Sequence, residues 1–507
     1  MPPLPLVATW LPDLAVETQA CLRVAYGLLL TGTLVAALPH GRRFFLSERW
    51  GGYAQSSTFT DLLHNPTAYP FVMTAWLASA LLVTAGIGSP WSALVSVAIS
   101  RYYFIDMRWR GVLRGMGAPG FMTYWLGTVV FVLEVTLRCA PQWRPLAVLA
   151  AQADLAAIML IAGLAKVRAG YPRNEGMELG MANPEWGRWW KQWAMVAPGH
   201  WLFRTLNHLA WSTELVIGVL MLWPATRVWG ALLLVVSFAF IATQIRLGWL
   251  CQTVMAGGLL FLGSGSAIER GVASAIAAIV PTSLVVHPGV ASSPPIGLAI
   301  ALPLTAYLVL LPFAYAGLCC NFYGRRALPG PVQAALDGYV NVFGFFLWRV
   351  FSPDITNFYI SIYEQPRDGR PRRLVSDYTG LASRSVAGRA GAAGRRFSQV
   401  AESIAITTLF TALKYRPDED RPFVDRLVRY ARTLRCGADA DLVFEYVSIR
   451  KAPDRFLHVP IAEFIVDPVS ATVTHRAVAP AASVRTLHPA SPVFEAARPG
   501  SYVPLAG

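Results

Sequence analysis

The 507-residue chain is 55% hydrophobic and 14% charged, whereas a soluble globular chain carries roughly 25% charged residues, so its main solvent is lipid. Its net charge of +14 does not point to nucleic acid, because most basic residues before position 353 sit in short loops between apolar runs, where they set topology, and neither a basic recognition helix nor a base-stacking platform is readable. The six cysteines show no CxxC and no metal-ligand spacing, which removes a zinc site or disulfide framework as the organising element.

A helix needs about 20 apolar residues to cross the hydrocarbon core with every backbone N–H and C=O satisfied inside it. Runs of this kind occur at 20–38, 70–88, 89–106, 119–137, 146–166, 205–223, 226–246, 249–264 and 296–319. The expected fold class is therefore an all-α polytopic membrane helix bundle of about nine spans, occupying 15–330. The N-terminus has no basic segment ahead of an apolar core, so the first span is expected to act as the insertion signal. A shorter apolar stretch at 272–287, broken by Pro281, reads as interfacial or re-entrant. Residues 331–352 mix aromatics with a few polar residues and read as an interfacial elbow helix.

Composition changes after the last run. Residues 353–507 hold 21 Lys+Arg and 16 Asp+Glu, against 22 and 13 in 1–352, which is an ordinary soluble balance. Period-two alternation around Asp368-Gly369 predicts a β-hairpin, and two further strands flank a turn at Pro453-Asp454. Helical spacing returns in 397–414 and 420–435, whereas 382–396 reads as a loop. A small α+β soluble domain is expected over 353–475, with an extended Ala/Pro-rich tail at 476–507. Loop arginines and lysines gather on one side of the nine runs, which places this domain in the cytoplasm and the N-terminus outside a cell membrane.

An ionisable residue within a span costs roughly 2.5–3.5 kcal/mol on insertion scales, so each needs a partner, a wet cavity or a function. The candidates are Glu134, Gln152, Asp154, Lys166, Asn207, His208, Glu214, Gln244 and Arg246. At 100° per residue, Gln152, Met159 and Lys166 share a face of the fifth run, with Asp154 about 120° away. Asn207, Trp211 and Glu214 form a stripe on the sixth, and the two stripes can converge in a bundle interior. Simple pairing or snorkelling to the interface is the competing explanation for each. The segment after Lys166 carries Trp186, Trp189, Trp190, Trp193 and Trp201, a density suited to an interfacial cover over the bundle mouth.

The order AGLAKVRAGYPRNEGMELG (162–180), TEL (213–215), PATR (224–227) and QIRLGW (244–249), followed by an elbow and hairpin, resembles the horizontally transferred transmembrane (HTTM) family. That family includes the membrane domain of vitamin K-dependent γ-glutamyl carboxylase. The resemblance implies a multi-pass, carboxylase-like protein with an intramembrane polar pocket that binds a quinone-like lipid cofactor and modifies a peptide or lipid-linked substrate. Matched by motif, Lys166 would be the catalytic base, with Tyr171, Glu175 and Glu214 at family positions, while Gln152, Asp154, Asn207 and His208, polar residues within the runs, complete the expected pocket. Two histidines of the carboxylase have no counterpart at 100–109, where Arg101, Tyr102 and Tyr103 stand, or at 231–246. The resemblance also implies an external C-terminal region, opposite to the loop charges. Two readings stay open: a membrane enzyme, or a non-catalytic membrane subunit or accessory protein of peptide maturation or export. The partners expected are the bilayer and a peptide or protein, and no metal or nucleic acid is implied.

Overall fold

The structure is a computed structural model that describes residues 11–12, 14–107, 117–263, 267–289, 294–322, 328–343, 353–375, 403–411, 413, 420–434, 437 and 439–478. Among these, seven helices are long and apolar enough to cross a bilayer. They are α1 (Val16–Ala37), α2 (Ala68–Ala85), α4 (Gly117–Cys139), α5 (Arg144–Ala169), α7 (Trp201–Leu222), α8 (Arg227–Gln244) and α11 (Pro294–Phe322).

The other two expected runs form shorter helices. In α3 (Trp91–Arg101) the α-helical pattern gives way at Arg101 to a π-helical turn, Tyr102–Asp106, and in α9 (Leu250–Gly257) it tightens at Gly257-Gly258 into a 3-10 turn. Apolar run length therefore overstated helix length at both places, because a change of hydrogen-bond register leaves no mark in hydropathy. The stretch with Pro281 folds as α10 (Ala267–Ile279) followed by a 3-10 turn, Thr282–Leu284. The elbow begins as α12 (Gly330–Phe343); residues 344–352, the loop 382–396 and the tail beyond 478 lie outside the described residues.

The C-terminal part is a five-stranded antiparallel sheet in the order β2-β1-β3-β4-β5. Its strands are β1 (Phe358–Pro366), β2 (Arg373–Leu374), β3 (Ala440–Lys451), β4 (Phe456–Asp467) and β5 (Thr472–Ala477). Both expected hairpins are present, around Gly369 and around Pro453-Asp454. The last strand extends the domain past the expected boundary at 475. Residues 403–411 and α13 (Asp420–Arg432) pack on the sheet through edge-to-face contacts of Phe410, Phe423 and Phe464, with ring centroids 5.3–5.4 Å apart.

The domain docks on one end of the bundle. Arg43 Nε donates to Thr433 Oγ1 at 2.9 Å, Arg429 pairs with Glu48 at 2.9 Å, and Phe203 meets Phe456 edge to face. Between helix ends and sheet lies the segment 170–200, which includes α6 (Met177–Ala182).

Candidate functional site: a buried lysine–glutamate pair beneath the domain

Lys166 stands on the last turn of α5, which stops at Gly170, a left-handed residue (φ 105°). Its Nζ donates to both carboxylate oxygens of Glu214 on α7, at 2.6 and 2.5 Å, and both side chains are buried. The pair meets because α5 and α7 approach closely through glycines. A Cβ on Gly163 would lie 2.8 Å from Leu215 Cγ, and one on Gly218 would lie 2.5 Å from Leu160 Cγ and 2.9 Å from the Ala156 carbonyl. Small residues at such crossings let helix backbones pack against one another in lipid.

Tyr171, wholly buried, follows immediately. Its ring lies over Gly176, where a Cβ would sit 2.4 Å from Tyr171 Cε2. Burial, with Glu214 and Glu178 close by, pushes its phenol well above the ordinary range, so it stays protonated and can act as a donor. Asn207 accepts from the Met177 N–H at 2.8 Å and donates to Glu178 and to Asn174 Oδ1, both at 2.7 Å. Lys166, Tyr171, Asn207 and Glu214 thus form one neighbourhood, where the α5 stripe meets the α7 stripe at Lys166 and Glu214.

Four expected members sit elsewhere. Glu175 is exposed, and the buried carboxylate of that turn is Glu178, which accepts from the Gly176 N–H at 3.0 and 2.9 Å. His208 is also exposed, because it is turned 100° from the inward-facing Asn207. Gln152 donates to the Leu260 carbonyl at 2.7 Å and so secures the turn after α9. Asp154 accepts from Trp125 Nε1 at 2.7 Å, Tyr307 at 2.6 Å and Tyr315 at 3.2 Å, which ties α4 and α11 to α5 in a separate cluster.

A third buried group joins the opposite ends of α1 and α4. Arg23 pairs with Glu134 at 3.6 Å and donates to the Leu284 carbonyl, while Gln19 and Ser89 donate to Glu134 at 3.1 and 2.5 Å. Charge counting in the first span missed Arg23, although an arginine amid apolar residues is itself the signal for a buried partner. Among the described residues no group of three or more His, Cys, Asp or Glu could hold a metal.

Comparisons with protein families, with curated proteins and with solved structures found nothing that matches this chain.

Proposed function

We propose that the chain is an HTTM-type, vitamin K-dependent carboxylase-like membrane protein in which Lys166 and Glu214 hold and move a proton during modification of a peptide or lipid-linked substrate. The observation that carries this reading is the buried pair itself. An ion pair withdrawn from water often contributes no more stability than two apolar side chains of the same volume, so its presence between two apolar helices is an argument for chemistry. Moving one proton from Nζ to a Glu214 oxygen converts ammonium and carboxylate into amine and carboxylic acid with no change in net charge. The neutral amine is then a base for an acidic O–H group, and Glu214 retains the proton it received.

The residues fit a quinone-like ligand. The indole N–H of Trp211, on the same face of α7 as Asn207 and Glu214, is buried with no hydrogen-bond partner among the described residues and would donate to a ring oxygen, and Lys166 would take the ring hydroxyl's proton. When bound, a reduced quinone would supply that acidic hydroxyl and two reducing equivalents. In this reading α3 and α9 are also passes, which makes nine crossings, and the loop charges support a cytoplasmic position for the docked domain.

One observation favours the non-catalytic subunit instead: Glu214 already matches the charge of Lys166 with both oxygens. Thermal unfolding of detergent-solubilised protein with menaquinol and ubiquinol analogues separates the two readings. The enzyme reading expects a saturable rise in midpoint that Lys166→Gln and Trp211→Phe abolish while the protein elutes at its normal size. A flat response in the parent protein, together with a stoichiometric protein partner on purification, overturns it.

A further inference from the structure

The cover over Lys166 is not complete without the soluble domain. Glu178 is fully buried, and the cation that reaches it is Lys451 at the end of β3, with Nζ 2.7 Å from Glu178 Oε1 and donating to the Asn174 carbonyl at 3.0 Å. Through Glu178 this contact extends to Asn207, whose amide is used on both sides by Asn174, Glu178 and Met177. Seven residues further along α7, on the same face, is Glu214. Glu214 and Glu178 therefore both lie close to Tyr171, and each is held by a lysine from a different part of the protein.

We infer that docking of the C-terminal domain completes the intramembrane site, with Lys451 as a positioning residue that neutralises Glu178 and so leaves Lys166 to Glu214. This rests on reading Lys166 and Glu214 as the reactive pair. Without Lys451, two buried carboxylates flank Tyr171, and of the two lysines Lys166 alone remains to serve them. The loop 174–178 must then open to water or draw Lys166 away from Glu214, and either response exposes the lysine. A domain that moves off the bundle would have the same effect, which makes docking a means of switching the site.

The test is modification of Lys166 in full-length protein in lipid nanodiscs by phenyl isothiocyanate, a membrane-permeant amine reagent, followed by peptide mass spectrometry. Lys451→Met should speed modification at least about fivefold, the lower end of ordinary site-to-site coupling, and Lys451→Arg should restore the parent rate. Adding Glu178→Gln to Lys451→Met should also restore it, since no unpaired carboxylate then remains. Equal rates in all variants, or failure of both restorations, overturns the inference. A faster rate in Lys451→Met with both restorations upholds the coupling even if quinone analogues bind nowhere, so the two proposals fail separately.

Discussion

His64 ends the helix Thr58–Leu63, and its ring is buried against Tyr102 and Tyr103 beside the Phe45 backbone. Burial pushes its pKa down to about 4, although the Phe45 backbone and Asp61 oppose the shift. The unfolded chain binds this proton below about 6.5 and the folded chain does not. Stability is therefore full above that value and falls as pH drops from 6.5 towards 4, by at most about 3 kcal/mol. His64→Phe keeps an aromatic ring and removes the titration. Its melting temperature should match the parent's at pH 7.5 and exceed it at pH 5; equal acid losses would rule the histidine out as the cause. At this scale the sequence was legible where helical spacing decides orientation, as for Lys166, Asn207 and Glu214. It was illegible in the turn after α5, where only the folded backbone determines that Glu178 rather than Glu175 points inward. His208 failed for a related reason, since of two adjacent polar residues on a helix only one can face a given neighbour.

The closest helix contact near the site is set by glycine. Gly218→Ala would place a methyl group 2.5 Å from Leu160 Cγ, which can turn aside, and 2.9 Å from the Ala156 carbonyl, which is fixed in α5. The helix axes must separate, at a cost of about 1–3 kcal/mol, and Glu214, one turn away, shifts against Lys166. Thermal unfolding should record this loss, whereas Gly271→Ala in α10, with nothing within 4 Å of its added methyl, should be neutral or stabilising. Matching gains in both variants would mean that the glycines act through helix propensity alone. Elements were legible where one physical demand dominated. Apolar length marked the seven long helices, and a turn dipeptide marked each hairpin. The strand β5 escaped because its polar, exposed residues carry no core face; it forms by pairing with the free edge of β4.

For the whole molecule, the decisive interface is the one between the sheet domain and segment 183–187. Asn183 Nδ2 donates to the carbonyls of Thr356 and Phe358 at 2.9 and 2.8 Å, and Thr407 donates to Glu185 at 2.7 Å. Among the described residues no cation contacts the buried Glu185, and burial raises its pKa to about 8, partly offset by the hydroxyls of Thr407 and Ser403. Folded protein thus keeps this proton up to about pH 8, while the undocked or unfolded chain releases it near its ordinary value of about 4.3. The raised pKa means that docking is strongest below that lower value and weakens as pH rises to 8, with a ceiling of about 5 kcal/mol. Hydrogen exchange of the helical residues 403–411, corrected for intrinsic rates, should lose protection between pH 5 and 8 in the parent protein. In Glu185→Gln, which imitates the protonated acid, protection should persist across that range. If both proteins open alike, docking is governed by other contacts. If only the parent opens, and Lys166 becomes reactive over the same interval, then the membrane pair responds to domain docking through two separate contacts, at Glu185 and at Lys451.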